Sequence, residues 1–254
     1  MEISVLIFLI ILFFFTSIIG VVTGSNSLIT VPVMFQFGID EKVAVATNMF
    51  GLTFMAIGGT IPFIRQGRID YRKVSPLIVL TAISSAIGAV LVGFITNQSL
   101  KLIVSIAMIA VALFTLVKKD TVAPTTSLLP RRAFVITYML TFILGVYGGL
   151  YSGGYVTILT AVYVAFFGMS FVEAVGSTKL INVFSSSIAT VIFMRQGLVD
   201  YGLGIILAVT MFAGAYAGAH YAAKMNEVWL KRIFLGTVFL LAVKSLFDLS
   251  RALA

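Results

Sequence analysis

The chain has 254 residues, of which 60% are apolar and 10% charged, and its mean hydropathy is +1.14. Soluble domains are about 45–50% apolar and about 25% charged, so this composition excludes a soluble enzyme, a nucleic-acid-binding domain and a disordered chain. The net charge of +8 is typical of a membrane protein with basic cytoplasmic loops. With no cysteine and one histidine, we expect no disulfide, no metal site and no cofactor.

Eight apolar stretches have the length of membrane-spanning helices, because about 20 residues cross a hydrocarbon core about 30 Å thick. They are 2–22, 41–64, 74–96, 100–117, 133–150, 170–194, 201–223 and 229–250. The first stretch lacks the basic flank of a signal peptide, which predicts an uncleaved helix. We therefore predict an all-α, polytopic transmembrane helical bundle with about eight full spans.

Two further apolar stretches, 25–37 and 155–167, are too short to cross a bilayer, since 13 helical residues cover only about 20 Å. Each follows a glycine-rich cluster: Gly24-Ser25-Asn26-Ser27 precedes the first, and residues 148–154 precede the second. Exposed backbone at membrane depth needs hydrogen-bond partners. We therefore predict two broken or re-entrant short helices whose free backbone groups meet a substrate.

The two halves of the chain match at a constant offset of 130 residues. Residues 65–71 read RQGRIDY and residues 195–201 read RQGLVDY, so five of seven positions are identical. This match predicts two internal repeats, a first transmembrane repeat in 1–117 and a second in 133–254. The polar segment 118–132, which contains two prolines, is the predicted cytoplasmic linker.

Basic residues in 65–73 and in the linker predict that both segments are cytoplasmic. The direction of the repeats depends on the short stretches. If both cross fully, each half has five spans, the repeats are inverted and Lys224 lies inside. If both re-enter, each half has four spans, the repeats are parallel and Lys224 lies outside.

Lys179 is the main candidate for binding chemistry, because it lies deep in the stretch 170–194 with only Glu173 as an acidic neighbour. A cation at mid-span costs at least about 2.5–3.5 kcal/mol. Either Lys179 snorkels to the interface, or it faces the interior among hydroxyl and amide donors that suit a small oxyanion. We predict the interior position. The predicted substrate-binding residues are Ser25, Asn26, Thr47, Asn48, Ser152, Gly153, Ser177, Thr178, Lys179 and Asn182.

Other polar residues within the apolar stretches have simpler interpretations. Lys244 is expected to pair with Asp248, and His220 is expected at the membrane interface. Leu150-Tyr151-Ser152-Gly153 is weakly similar to the context of an intramembrane serine nucleophile. That remote alternative, an intramembrane hydrolase, requires Ser152 close to His220. We expect no enzyme and no catalytic residue.

The order of these motifs in two copies resembles the sulfite exporter TauE/SafE family of membrane permeases, within the toluene-sulfonate uptake permease superfamily. The motifs are Gly24…Thr30-Val31-Pro32…Phe37-Gly38, Ala44-Val45-Ala46-Thr47-Asn48 and RQGRIDYR at 65–72, then Ala174-Val175-Gly176-Ser177-Thr178, Gly197…Asp200-Tyr201 and Gly214-x3-Gly218. The resemblance implies transport of sulfite or small organosulfonates across the plasma membrane, usually outward.

We therefore expect a secondary transporter for a small sulfur-containing anion in the plasma (inner) membrane, surrounded by lipid, with a proton as candidate coupling ion and no nucleic-acid partner. An anion channel or a non-transporting membrane scaffold is the alternative. The sequence does not give the oligomeric state.

Overall fold

The structure is a computed structural model that describes residues 2–24, 26–117 and 131–226 together with 228, 229 and 232. Their helices, in chain order, are α1 (Ile3–Thr23), α2 (Ser27–Gln36), α3 (Glu41–Arg65), α4 (Tyr71–Phe94), α5 (Asn97–Val117), α6 (Arg131–Leu150), α7 (Tyr155–Phe166), α8 (Phe171–Arg195) and α9 (Tyr201–Ala222). No strand occurs among these residues. The all-helical prediction is confirmed.

Six of the described helices are long and apolar enough to cross a membrane, namely α1, α3, α4, α6, α8 and α9. The chain is thus a multi-pass membrane protein, as its composition predicts. The predicted number of eight full spans is not reached among the described residues, and the last predicted stretch, 229–250, lies outside them. Lys244 and Asp248 also lie outside the described residues.

Helix boundaries recur at the offset of 130 residues. The helices α3 and α8 both have 25 residues and start at residues 41 and 171, and α4 and α9 start at Tyr71 and Tyr201. Local chemistry explains these starts, because Asp40, Asp70 and Asp200 accept hydrogen bonds from the first-turn N–H groups. The glycines with positive φ form three pairs at the same offset: Gly24 and Gly154, Gly38 and Gly168, and Gly67 and Gly197.

Each short helix folds back along the long helix that precedes it. The ring of Phe8, early in α1, lies 5.7 Å from that of Phe37, just after α2. The ring of Tyr138, early in α6, lies 6.3 Å from that of Phe167, just after α7. The helices α2 and α7 have 10 and 12 residues and so reach about 15 and 18 Å. We call the α1–α2 and α6–α7 pairs the two hairpins, and the turns at residues 24–27 and 151–154 their tips.

The helices α3 and α8 pack antiparallel to each other. The hydroxyl oxygens of Thr53 and Thr190 are 3.1 Å apart, whereas a Cβ on Gly176 would lie 3.1 Å from Phe63. The contact position therefore moves up α3 as it moves down α8. Helices at equivalent positions in the two halves thus run in opposite directions.

Polar contacts at the helix ends define two faces of the bundle. Lys73 Nζ lies 3.3 Å from Glu173 Oε1, which joins the start of α4 to the start of α8. The Arg65 guanidinium donates to the hydroxyl of Tyr216 (3.3 Å), which joins the end of α3 to the end of α9. Lys224 follows α9 directly, so it lies on the face that carries Arg65.

Neither sequence-based combination of span count and repeat direction is correct. The short helices re-enter, which we expected to accompany parallel repeats, yet α3 and α8 run antiparallel. The physical reason is that α1 and α6 turn back together with the short helices, so each hairpin adds no net crossing. Lys224 accordingly lies on the face that the crossing alternative gave it.

Glycines allow close approach between the halves. A Cβ on Gly88 of α4 would lie 1.9 Å from the carbonyl oxygen of Val146 on α6, and one on Gly218 of α9 would lie 2.3 Å from that of Ile18 on α1. Such small residues bring helix backbones together where lipid supplies no hydrophobic driving force. This packing presses both hairpins against the other half of the chain.

Candidate functional site

The two hairpin tips meet in the centre of the bundle. The hydroxyl oxygens of Ser27 and Ser152 are 2.9 Å apart, and the hydroxyl of Thr157 donates to the carbonyl of Thr23 at 2.6 Å. Gly24 makes this approach possible: its φ is +71°, and a Cβ there would lie 2.7 Å from the backbone nitrogen of Thr157. The tips therefore form one continuous polar region.

A cavity of about 10 Å³ lies beside the tips, which is room for about one water molecule. Its lining is polar where the tips and α8 contribute and apolar where α3 contributes Leu52, Met55 and Ala56. The remaining lining residues are Gly20, Gly24, Asn26, Ser27, Ser152, Val156, Lys179 and Asn182. An oxyanion would need this space to enlarge, so the structure is closed around the site.

Lys179 faces this cavity. It is 3% exposed, and its ammonium donates to the carbonyl of Gly20 at 3.2 Å. That carbonyl lies at the C-terminal end of α1, where the helix dipole favours a cation. Among the described residues, the ion pairs are those of Lys73 with Asp70 and Glu173, and none involves Lys179. The snorkelling alternative is wrong, and the buried cation has no carboxylate partner within the described part of the chain.

A chain of hydrogen bonds holds the first tip. Thr30 donates to Asn48 Oδ1 (2.8 Å), and Asn48 Nδ2 donates to Ser27 Oγ (2.9 Å). Asn182 lines the cavity from α8, and its Oδ1 accepts from the hydroxyl of Ser185 at 3.4 Å. Of the predicted binding residues, the structure brings together Asn26, Asn48, Ser152, Lys179 and Asn182.

Three predicted residues do not line the cavity. The Thr47 hydroxyl accepts from the backbone N–H of Asp200 at 3.0 Å, at the start of α9. The Thr178 hydroxyl lies 3.2 Å from that of Thr160 on α7. Ser177 is buried, and its hydroxyl has no hydrogen-bond partner among the described residues. We therefore remove these three from the set that reaches the cavity.

Helix geometry explains this correction. Residues three apart share a face of a helix, whereas adjacent residues diverge by about 100°. Lys179 and Asn182 therefore point to the cavity together, while the two residues before Lys179 face other helices. The sequence placed all of them on one short segment, which does not specify a face.

The remaining predicted residues are Gly153 and Ser25. The carbonyl of Gly153 accepts a hydrogen bond from the hydroxyl of Tyr147, so this glycine supports the second tip. Ser25 lies outside the described residues. The sequence analysis missed Tyr151, whose hydroxyl donates to the carbonyl of Ser27 at 2.8 Å and so joins the two tips. Its position inside a glycine-rich break was the available signal.

The intramembrane hydrolase alternative is wrong. The Ser152 hydroxyl pairs with Ser27, and the exposed His220 has its Nε2 3.0 Å from Lys224 Nζ. No serine–histidine pair therefore forms between them. Among the described residues, no group of three His, Cys, Asp or Glu side chains could hold a metal ion.

Comparisons with known proteins agree with a transport role. The sequence model of the family described as "Sulfite exporter TauE/SafE" matches residues 9–245. The "Probable membrane transporter protein ORF9" of Sinorhizobium sp. is 26% identical over 245 residues, which cover 96% of this chain and 93% of that protein. No solved structure matches the chain.

Two further relatives carry similar names. The "Probable membrane transporter protein YfcA" of Escherichia coli (strain K12) is 24% identical over 94% of this chain and 89% of its own length. The "Probable membrane transporter protein YdhB" of Bacillus subtilis (strain 168) is 25% identical over 89% of this chain and 94% of its own length. These relatives are named as membrane transporters and not as enzymes.

Proposed function

The chain belongs to the sulfite exporter TauE/SafE family, and from this premise we propose that it is a secondary transporter that moves a small sulfur-containing anion, sulfite or an organosulfonate, outward across the plasma membrane. Family membership makes it a membrane transporter. The sulfur anion and the outward direction are our proposal, and the buried ammonium of Lys179 is the observation that carries the choice of an anion.

The electrostatic argument starts from the cost of burying a charge. An unpaired ammonium at membrane depth is expensive, and its one described partner is the Gly20 carbonyl. An anion in the cavity would compensate the charge with charge-assisted hydrogen bonds. The amide of Asn182 and the hydroxyls of Ser27 and Ser152 line the same cavity and would bind the remaining oxygens.

The arrangement of helices supports two inverted repeats, 1–117 and 133–254, joined by the linker 118–132. Three observations support this: helix starts and positive-φ glycines recur at an offset of 130 residues, α3 and α8 run antiparallel, and the hairpin tips meet centrally. In such transporters, broken helices converge on a substrate site near the midplane, and the two halves rock around it. The closed cavity then corresponds to an occluded conformation.

We propose that the face carrying Arg65, Arg68, Arg72, Lys73 and Lys224 is cytoplasmic. These residues lie at or between the connected helix ends of that face, and an excess of basic residues favours the cytoplasmic side.

The test is flux of radiolabelled sulfite and of a radiolabelled organosulfonate in proteoliposomes, with and without a pH gradient. We expect saturable flux that falls in the Lys179→Met protein. Flux no greater than in protein-free liposomes for both substrates would contradict the proposal. Stimulation by the pH gradient would identify the proton as coupling ion.

A further inference from the structure

Asn26 at the first hairpin tip contributes an unusual group to the cavity. Its side chain is 3% exposed and lines the cavity together with Lys179. Its amide nitrogen donates to the hydroxyl oxygen of Ser17 at 3.1 Å and lies 3.0 Å from the sulfur of Met55. Its amide oxygen is buried and has no hydrogen-bond partner among the described residues.

The contact with Met55 fixes the orientation of this amide. A thioether sulfur accepts hydrogen bonds and cannot donate them. The amide group that faces the sulfur is therefore the NH₂ group, and the carbonyl oxygen is the atom left over. A buried acceptor without a donor is costly, so the cavity requires a hydrogen-bond donor at this point.

The other cavity groups are donors. Lys179 has three N–H groups, and one of them is used on the Gly20 carbonyl. Ser27 accepts from Asn48, and the Ser27–Ser152 contact uses one of the two hydroxyl hydrogens, so the serine pair retains one O–H. The nitrogen of Asn182 makes no hydrogen bond with the described residues. The cavity therefore offers several donors and one unsatisfied acceptor.

We infer that the central cavity selects singly charged anions that carry their own O–H or N–H donor, and that Asn26 is the residue that determines this specificity. A fully deprotonated dianion, or a sulfonate with a purely alkyl tail, leaves the Asn26 oxygen unsatisfied. A hydroxyl-bearing sulfonate, or hydrogen sulfite in its hydroxyl form, satisfies the acceptor and the donors together. This inference rests on the proposed function, because it concerns the same anion site.

The test uses two probes of equal size. 2-Hydroxyethanesulfonate and 1-propanesulfonate have the same number of heavy atoms and differ by a hydroxyl in place of a methyl group. Their binding is measured calorimetrically on the purified full chain in detergent. We expect the wild type to bind the hydroxyl-bearing probe at least about fivefold more tightly. Asn26→Leu, which keeps the size and removes the acceptor, should abolish this preference.

Asn182→Leu is the matched control, because it makes the same substitution in the same cavity but removes a donor. It should weaken both probes and keep the preference between them. Equal binding of the two probes by the wild type, or a preference that persists in a folded Asn26→Leu protein, would overturn the inference. The wild-type comparison remains decisive if Asn26→Leu does not fold. Binding of neither probe, nor of sulfite, would instead contradict the proposed function itself.

Discussion

Replacing Lys179 by Met tests the anion site most directly, because Met is the residue at the matching position on α3, residue 49. The substitution removes the charge and keeps an unbranched apolar side chain. A hydrogen bond to a charged group contributes about 1.5–3 kcal/mol, so the dissociation constant for the anion should rise about 10- to 150-fold. Lys179→Arg should not restore affinity, because the cavity of about 10 Å³ has no room for a planar guanidinium.

The same substitution should not destabilise the anion-free protein. The Gly20 carbonyl that Lys179 binds also accepts from the N–H of Gly24 at 2.8 Å, so no acceptor is left without a partner. Removing a buried, unpaired charge relieves a desolvation cost of several kcal/mol. We therefore expect an unchanged or higher unfolding temperature without anion.

The assay is thermal unfolding in detergent over a sulfite titration, combined with calorimetric binding. An anion at 100 times its dissociation constant stabilises by about 2.7 kcal/mol, and a hundredfold loss of affinity reduces this to about 0.4 kcal/mol. Lys224→Met is the control, since it removes an equal charge from an exposed position and should retain the anion response. Wild-type affinity in folded Lys179→Met would refute the assignment of Lys179 as the anion anchor.

Three further predictions concern the fold. Gly88→Ala should lower the free energy of unfolding by about 1–3 kcal/mol or more, because its Cβ would lie 1.9 Å from a carbonyl oxygen of α6, whereas Gly202→Ala, 3.4 Å from its nearest neighbour, should not; equal unfolding temperatures would contradict the close packing. A Ser27→Cys, Ser152→Cys double variant should form a disulfide, since the hydroxyl oxygens are 2.9 Å apart; oxidation should stop flux and reductant should restore it, and unchanged flux in the cross-linked protein would refute tip movement. A cysteine at Arg68 should react only with membrane-permeant reagents in sealed cells; labelling from outside would reverse the orientation.

Helix positions were predictable where local chemistry sets the boundary. The stretch 41–64 became Glu41–Arg65, and 201–223 became Tyr201–Ala222. In both cases an aspartate N-cap precedes an apolar run of spanning length, and these signals lie within a few residues of each other. The course of the hairpins was not predictable in this way, because an apolar run records its length but not the side on which the chain leaves the membrane.

The candidate site was predictable in part for a related reason. Lys179 was identified because a charge inside an apolar stretch needs an explanation whatever its neighbours are. The contact between Ser27 and Ser152 joins residues 125 positions apart, and no local pattern encodes it. Thr47 was included because it belongs to a polar motif, but a motif does not state which neighbouring helix each side chain faces.

The cavity wall differs between equivalent positions of the two halves. Asn26 and Asn182 line it, and so do their counterparts at the offset of 130, Val156 and Leu52. A protein assembled from two copies of the second half would bring two lysine ammonium groups to one small, water-poor space, where like charges repel strongly. Two copies of the first half would leave that space with no cation. The halves are therefore no longer interchangeable, and an ancestral homodimer of either half could not reproduce the binding properties of the single chain.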